Sequence, residues 1–128
     1  MNSAISWYSL SKKLSTVENG PIGKVSAFEI IDGYFSRLKP KYESGEDAIS
    51  ATMFGFQKSK NEFIEICING LDSISFKFEV STPKKVLFFS IPSVFQEEIT
   101  LRSIDEVKSQ VGFFYDLDSD SFKAHIQK

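Results

Sequence analysis

The side chains whose types could do chemistry are few. They are a single histidine (His125), a single cysteine (Cys67), the alternating aspartates Asp116, Asp118 and Asp120, and the acid pairs Glu97-Glu98 and Asp105-Glu106. A histidine-built metal site needs more than one imidazole, and a Ser-His-Asp triad needs a firmly anchored one. His125 is therefore expected to be a surface or tail residue. Cys67 lies between Ile66 and Ile68, without the neighbouring cation or helix N-terminus that lowers a thiol pKa. A buried structural cysteine is expected. Asp116, Asp118 and Asp120 resemble the opening of an EF-hand loop, but Ser121 stands at the glycine position and Gln127 at the bidentate glutamate position. A solvated acidic turn is the expected outcome. Glu97-Glu98 suits the blunting of an exposed strand edge, and Asp105-Glu106 suits a helix N-terminus. Gly20-Pro21-Ile22-Gly23 lacks the Lys-Ser/Thr of a phosphate loop and reads as a turn. No catalytic residue, metal ligand or cofactor is expected.

Bulk properties narrow the classes further. The 128 residues carry a net charge of −2, are 41% hydrophobic, and include 13 phenylalanines. That length and composition predict one globular domain over residues 1–128. Arg37 and Arg102 are the only arginines among 15 basic residues, and no basic cluster stands out, which argues against direct nucleic-acid binding. Aromatics on predicted strands (Phe54, Phe56, Phe76, Phe78, Phe88 and Phe89) lack basic companions, so core packing is favoured over base stacking. The sequence has no run of about 18 apolar residues and no signal-like N-terminus, so membrane insertion is not expected. With one cysteine and no internal disulfide, the cytoplasm is the expected compartment.

The elements follow from periodicity. Trp7, Leu10, Leu14 and Val17 recur at helical spacing and predict a first helix, stopped by Asn19-Gly20-Pro21. Phe28, Ile31, Phe35 and Leu38 predict a second, opened by a Ser26–Glu29 capping box and ended by Pro40. Residues 39–47 read as a charged loop. Five strands follow, over 48–58, 62–69, 74–80, 85–91 and 97–102. Gly55 marks a bulge or close approach in the first of them. Ile64, Ile66 and Ile68 define one face of the second, and Ile74, Phe76, Phe78 and Val80 one face of the third. The run 85–91, bounded by prolines, is apolar on both faces. Ser103 with Glu106 predicts a capping box for a helix carrying Ile104, Val107, Val111 and Phe114. Residues 121–126 fit either a short strand or a helical turn. The expected fold is α+β: two N-terminal helices, an antiparallel sheet of about five strands, and one C-terminal helix on one sheet face. The other face is left wet or open to a partner.

A domain without catalytic tools acts by binding. Acidic segments holding Glu43, Glu46 and Asp47, and Asp116, Asp118 and Asp120, are expected to oppose a basic partner and speed its capture. The segment Phe54-Gly55-Phe56 followed by Asn61-Glu62-Phe63-Ile64-Glu65-Ile66, with the size, acidity and α+β layout, resembles immunity proteins of bacterial contact-dependent growth inhibition and other polymorphic toxin systems. That resemblance implies a cytoplasmic, non-enzymatic toxin inhibitor. It would occlude a cognate toxin domain, often a nuclease, while itself being a monomer or weak dimer. Two alternatives stay open. One is a small-ligand binder or enzyme with a cone-shaped fold resembling the nuclear transport factor 2 family. The other is an acidic secretion chaperone.

Overall fold

The computed structural model describes residues 5–10, 16–43, 52–59, 61–70 and 72–127. Their order is β1 (Ser6–Leu10), β2 (Thr16–Pro21), α1 (Lys24–Glu43), β3 (Thr52–Ser59), β4 (Glu62–Gly70), β5 (Ser73–Val86), β6 (Phe89–Leu101), α2 (Ile104–Asp116) and α3 (Ser119–Ile126). The strands form one sheet in the order β2-β1-β3-β4-β5-β6, with antiparallel neighbours throughout. The α+β class is as expected; its composition differs, with six strands and a different distribution of helices.

The β3–β6 meander obeys the period-2 rule. Phe54 and Phe56, Ile64, Ile66 and Ile68, and Ile74, Phe76, Phe78 and Val80 all turn to one face and are buried. The helices lie on that face. Ala27, Ile31, Phe35 and Leu38 of α1, Val107, Val111 and Phe114 of α2, and Phe122 and Ile126 of α3 complete the same core. Phe78 sits edge-to-face on Phe122 at a centroid distance of 4.7 Å, and Phe114 meets Phe122 at 5.6 Å. Such pairs add about 0.5–1.5 kcal/mol to the burial of the rings. Among the described residues this face is filled mainly by phenylalanine and isoleucine.

Four expectations fail, each for a physical reason. The first predicted helix is a β-hairpin. Its N-terminal strand pairs with β3 (Trp7↔Phe56, Tyr8↔Gly55, Ser9↔Phe54), a long-range match that outweighs the local helical spacing; Leu14 lies outside the described residues. Helix α1 begins at Lys24, so Ser26 is inside it, and it passes through Pro40 for one further turn. Tyr42 in that turn donates to the Ile68 carbonyl at 3.4 Å, tying it to the sheet against the loss of the proline N–H. The apolar run 85–91 is a hairpin: β5 and β6 continue to Val86 and Phe89, Pro83 faces Pro92, and Leu87 turns the chain with a left-handed φ of 56°. Two helices, not one, follow the sheet, since residues 119–126 form α3.

Ser103 is the N-cap of α2 as read, but the return bond of the expected capping box lands one residue earlier, on Arg102. The Ser103 hydroxyl accepts from the Glu106 amide at 3.2 Å, and Glu106 Oε2 accepts from the Arg102 amide at 2.6 Å. No helix among the described residues is long and apolar enough to cross a membrane.

Candidate protein-binding face

The face of the sheet away from the helices carries the other half of the alternation. The pairing Tyr8↔Gly55↔Glu65↔Lys77↔Glu98 sets one residue from each of five strands in a single row. The adjoining row holds Gln57, Phe63, Glu79 and Gln96.

Gly55 is required by what lies over it. The Tyr8 ring covers it, and a Cβ there would collide with the ring and with the Ile64 carbonyl. Tyr8 Oη donates to that carbonyl at 3.1 Å, and the ring meets Phe63 edge-on at 6.4 Å. Burial, then the charges of Glu65 and Glu79, push the Tyr8 hydroxyl well above the usual tyrosine range. The close approach read at Gly55 from sequence is thus an aromatic ring laid across a glycine on the neighbouring strand.

Lys77 Nζ lies 3.4 Å from Glu65 Oε2 and 5.9 Å from the Phe63 ring centre. Glu79 and Glu98 share the face, so three carboxylates stand against one lysine there. Cys67 is on this face, half-buried, and not in the core as expected. Its thiol donates to Asn69 Oδ1 at 3.5 Å, and burial followed by Glu65 and Glu98 raises its pKa, keeping it protonated and unreactive.

The acids singled out from sequence are elsewhere, and most have structural partners. Asp116 holds Lys24 through both oxygens, at 2.8 and 2.9 Å. Asp118 is the N-cap of α3; the backbone bond from Ser121, 2.8 Å long, holds its carboxyl below the usual carboxylate range. Asp120 is exposed in the first turn of α3, where a negative charge suits the helix end. Glu43 closes α1 and stands 4.0 Å from Lys39 Nζ. Glu46 and Asp47 lie outside the described residues.

His125 is packed rather than loose. Its ring centre is 4.4 Å from that of Phe113, and Nε2 lies 3.2 Å from Gln110 Oε1. Sequence reasoning missed a joint at the start of β4. Lys58 Nζ donates to the Leu117 carbonyl at 2.7 Å, Ser119 Oγ donates to Glu62 Oε1 at 2.7 Å, and Lys58 and Glu62 form an ion pair at 3.7 Å. No group of three or more metal-binding side chains occurs among the described residues.

The chain matches no family model, no curated protein and no solved structure.

Proposed function

We propose that this chain is a non-catalytic binding protein that inhibits a basic protein partner by covering it, most specifically an immunity protein for a bacterial toxin domain. The observation that carries the reading is the sheet face that no helix among the described residues covers, where Glu65, Glu79 and Glu98 lie with Lys77 and the Phe63 and Tyr8 rings. Six strands about 4.8 Å apart and about seven residues deep make a surface of roughly 600–700 Å². A specific interface takes about 800 Å² from each partner, so this face supplies most of one side. Its acids raise the rate of encounter with a basic surface, and Phe63 is an aromatic anchor. The aspartates that cap α3 and hold Lys24 contribute field rather than contacts, because their oxygens are already engaged. The reading places the protein with its partner in the cytoplasm.

The test looks for a toxin domain encoded beside the gene for this chain and pairs the two. Calorimetry should give tight binding, and co-expression should restore growth. The double variant Glu65→Lys/Glu98→Lys should weaken binding by at least about tenfold, with a fold intact by circular dichroism. A wild-type chain that neither binds nor protects, or a double variant that binds equally well, refutes the reading.

A further inference from the structure

An open sheet has two edges, and in this one they are unlike. At β2 the pairing with β1 slips between Ser6 and Tyr8, Gly20 holds a φ of 85°, and Pro21 ends the strand. Irregular backbone and proline blunt an edge. At β6 the pairing with β5 runs from Val86↔Phe89 to Ile74↔Leu101 without a break in register. This strand is the last of the sheet, so its outer side has no neighbouring strand among the described residues.

Two contacts fix which main-chain groups face that outer side. Ser81 N–H donates to the Asn61 carbonyl at 2.7 Å, on the side of β5 away from β6. In an antiparallel ladder the N–H and C=O of one residue share a side, and the side alternates along the strand. The even-numbered residues of β5 therefore bond to β6 through their partners Phe95, Glu97, Ile99 and Leu101. The even-numbered residues of β6 point outward. Arg102, next in step, agrees: its N–H is taken by Glu106 Oε2 at 2.6 Å. At the other end Pro92 has no N–H to offer. Between these two stops, the main-chain groups of Val94, Gln96, Glu98 and Thr100 face outward with no hydrogen-bond partner among the described residues.

The charges at this edge select what can pair with it. Glu97 and Glu98 stand at its middle, and neither is in an ion pair among the described residues. A second copy laid antiparallel on the same stretch would set Glu97 against Glu97, so the edge repels itself. Past Thr100 a groove of about 420 Å³ opens between β6 and α2, walled by Asp105 and Glu106 with Arg102 as its one cation. On the helix side of the sheet Phe95 and Ile99 are half-buried, and Lys123 Nζ already covers the Phe95 ring at 4.6 Å. On the other side Gln96, Glu98 and Thr100 are exposed.

We infer that the outer edge of β6 takes an added strand from a protein partner, an extended segment whose side chains alternate between basic and apolar. Its backbone continues the ladder along residues 94–100. Its basic side chains stand beside Glu98, one at its end enters the groove at Asp105 and Glu106, and its apolar side chains rest beside Phe95 and Ile99. The inference rests on the basic partner proposed above and says how that partner docks. The sheet face alone supplies roughly 600–700 Å², and a strand of about seven residues, about 4.8 Å from β6, adds about 110 Å². The sum approaches the roughly 800 Å² that one side of a specific interface takes.

The probe is a synthetic heptapeptide of alternating lysine and valine, titrated to about 1 mM into the isotope-labelled full chain and followed by amide NMR. Shifts should gather on residues 93–101. The Val94, Gln96, Glu98 and Thr100 amides should gain protection from exchange, while those of Phe95 and Glu97, already bonded to β5, change little. The same peptide N-methylated throughout keeps its charge, loses its donors, and should bind at least about tenfold more weakly. Gln96→Pro removes one outward donor without touching the β5 ladder or the acids, and should weaken binding by about tenfold with the circular dichroism unchanged. The methylated peptide decides the matter on the wild-type chain even if that variant fails to fold. No shift at about 1 mM, shifts spread over the sheet face and not along β6, equal binding of the methylated peptide, or a folded Gln96→Pro chain that binds as well overturns the inference. No toxin takes part, so the two proposals fail separately. A chain that protects cells without adding the strand refutes this inference alone, and one that adds the strand without protecting refutes the toxin reading alone.

Discussion

Replacing Gly55 by alanine tests the contact that fixes the N-terminal strand. The new Cβ would occupy space held by Tyr8 Cζ and Oη and by the Ile64 carbonyl. The ring can swing away; the carbonyl belongs to the backbone of β4 and moves only if the β3–β4 pairing shifts. A buried tyrosine covers about 150–250 Å², so lifting half of it re-exposes about 100 Å², or about 2.5 kcal/mol. Loss of the Tyr8 Oη bond to Ile64 adds about 1 kcal/mol. Alanine's lower backbone entropy returns about 0.5–1 kcal/mol. The net loss is about 3 kcal/mol, which lowers the urea midpoint by about 1.5 M for an m-value near 2 kcal/mol/M. Equilibrium urea unfolding followed by Trp7 fluorescence measures it. In a Tyr8→Ala background the same change should cost at least about 1 kcal/mol less, because the ring is gone. A loss under about 0.5 kcal/mol, or strict additivity in the double variant, refutes the packing of Tyr8 on Gly55.

Two further outcomes follow from named contacts. Ser103→Ala removes the acceptor for the Glu106 amide and should cost about 1 kcal/mol, read as a melting point about 3–5 °C lower, while Ser103→Asp should keep most of it. Burial pushes the Tyr115 hydroxyl, which donates to the Ile22 carbonyl at 3.0 Å, up to about 12. A folded pKa above the ordinary value near 10 stabilises the protein fully below pH 10 and progressively less as pH rises towards 12. The urea midpoint should thus hold between pH 7 and 9 and fall above 10. The ionisation of Tyr115, read as the 295 nm absorbance lost in a Tyr115→Phe variant, should be delayed until unfolding, and its appearance near pH 10 counts against the burial.

Legibility in the sequence tracked the range of the deciding interaction. The strands β4 and β5 were readable because one side chain in two is Ile, Phe or Val, and α2 because Ser103 caps the Glu106 amide within one turn. The N-terminal hairpin was not, because Trp7, Leu10 and Val17 fit a helix equally well and the choice is made by Gly55 of β3. The β5–β6 turn was hidden by its composition: Leu87 holds a left-handed conformation that glycine or asparagine ordinarily signals. The uncovered face was legible as the polar half of the alternation, including Glu65, Lys77 and Glu79. Asp116 and Asp118 were visible as acids, but their partners Lys24 and Ser121 were not.

The position of β1 between β2 and β3 has a kinetic consequence. Tyr8 and Ile64, which it joins, are 56 residues apart in sequence. Strands β3 to β6 are successive hairpins and need only short loop closures, whereas β1 waits for a chain loop that spans the whole of α1. The topology predicts that the meander forms first and that β1 docks late onto the edge of β3; low φ-values at Tyr8 beside higher ones at Ile64 and Phe76 would bear this out. On that order, the edge of β3 that β1 covers is unpaired during folding, and an unpaired strand edge is where misassembly is expected to begin.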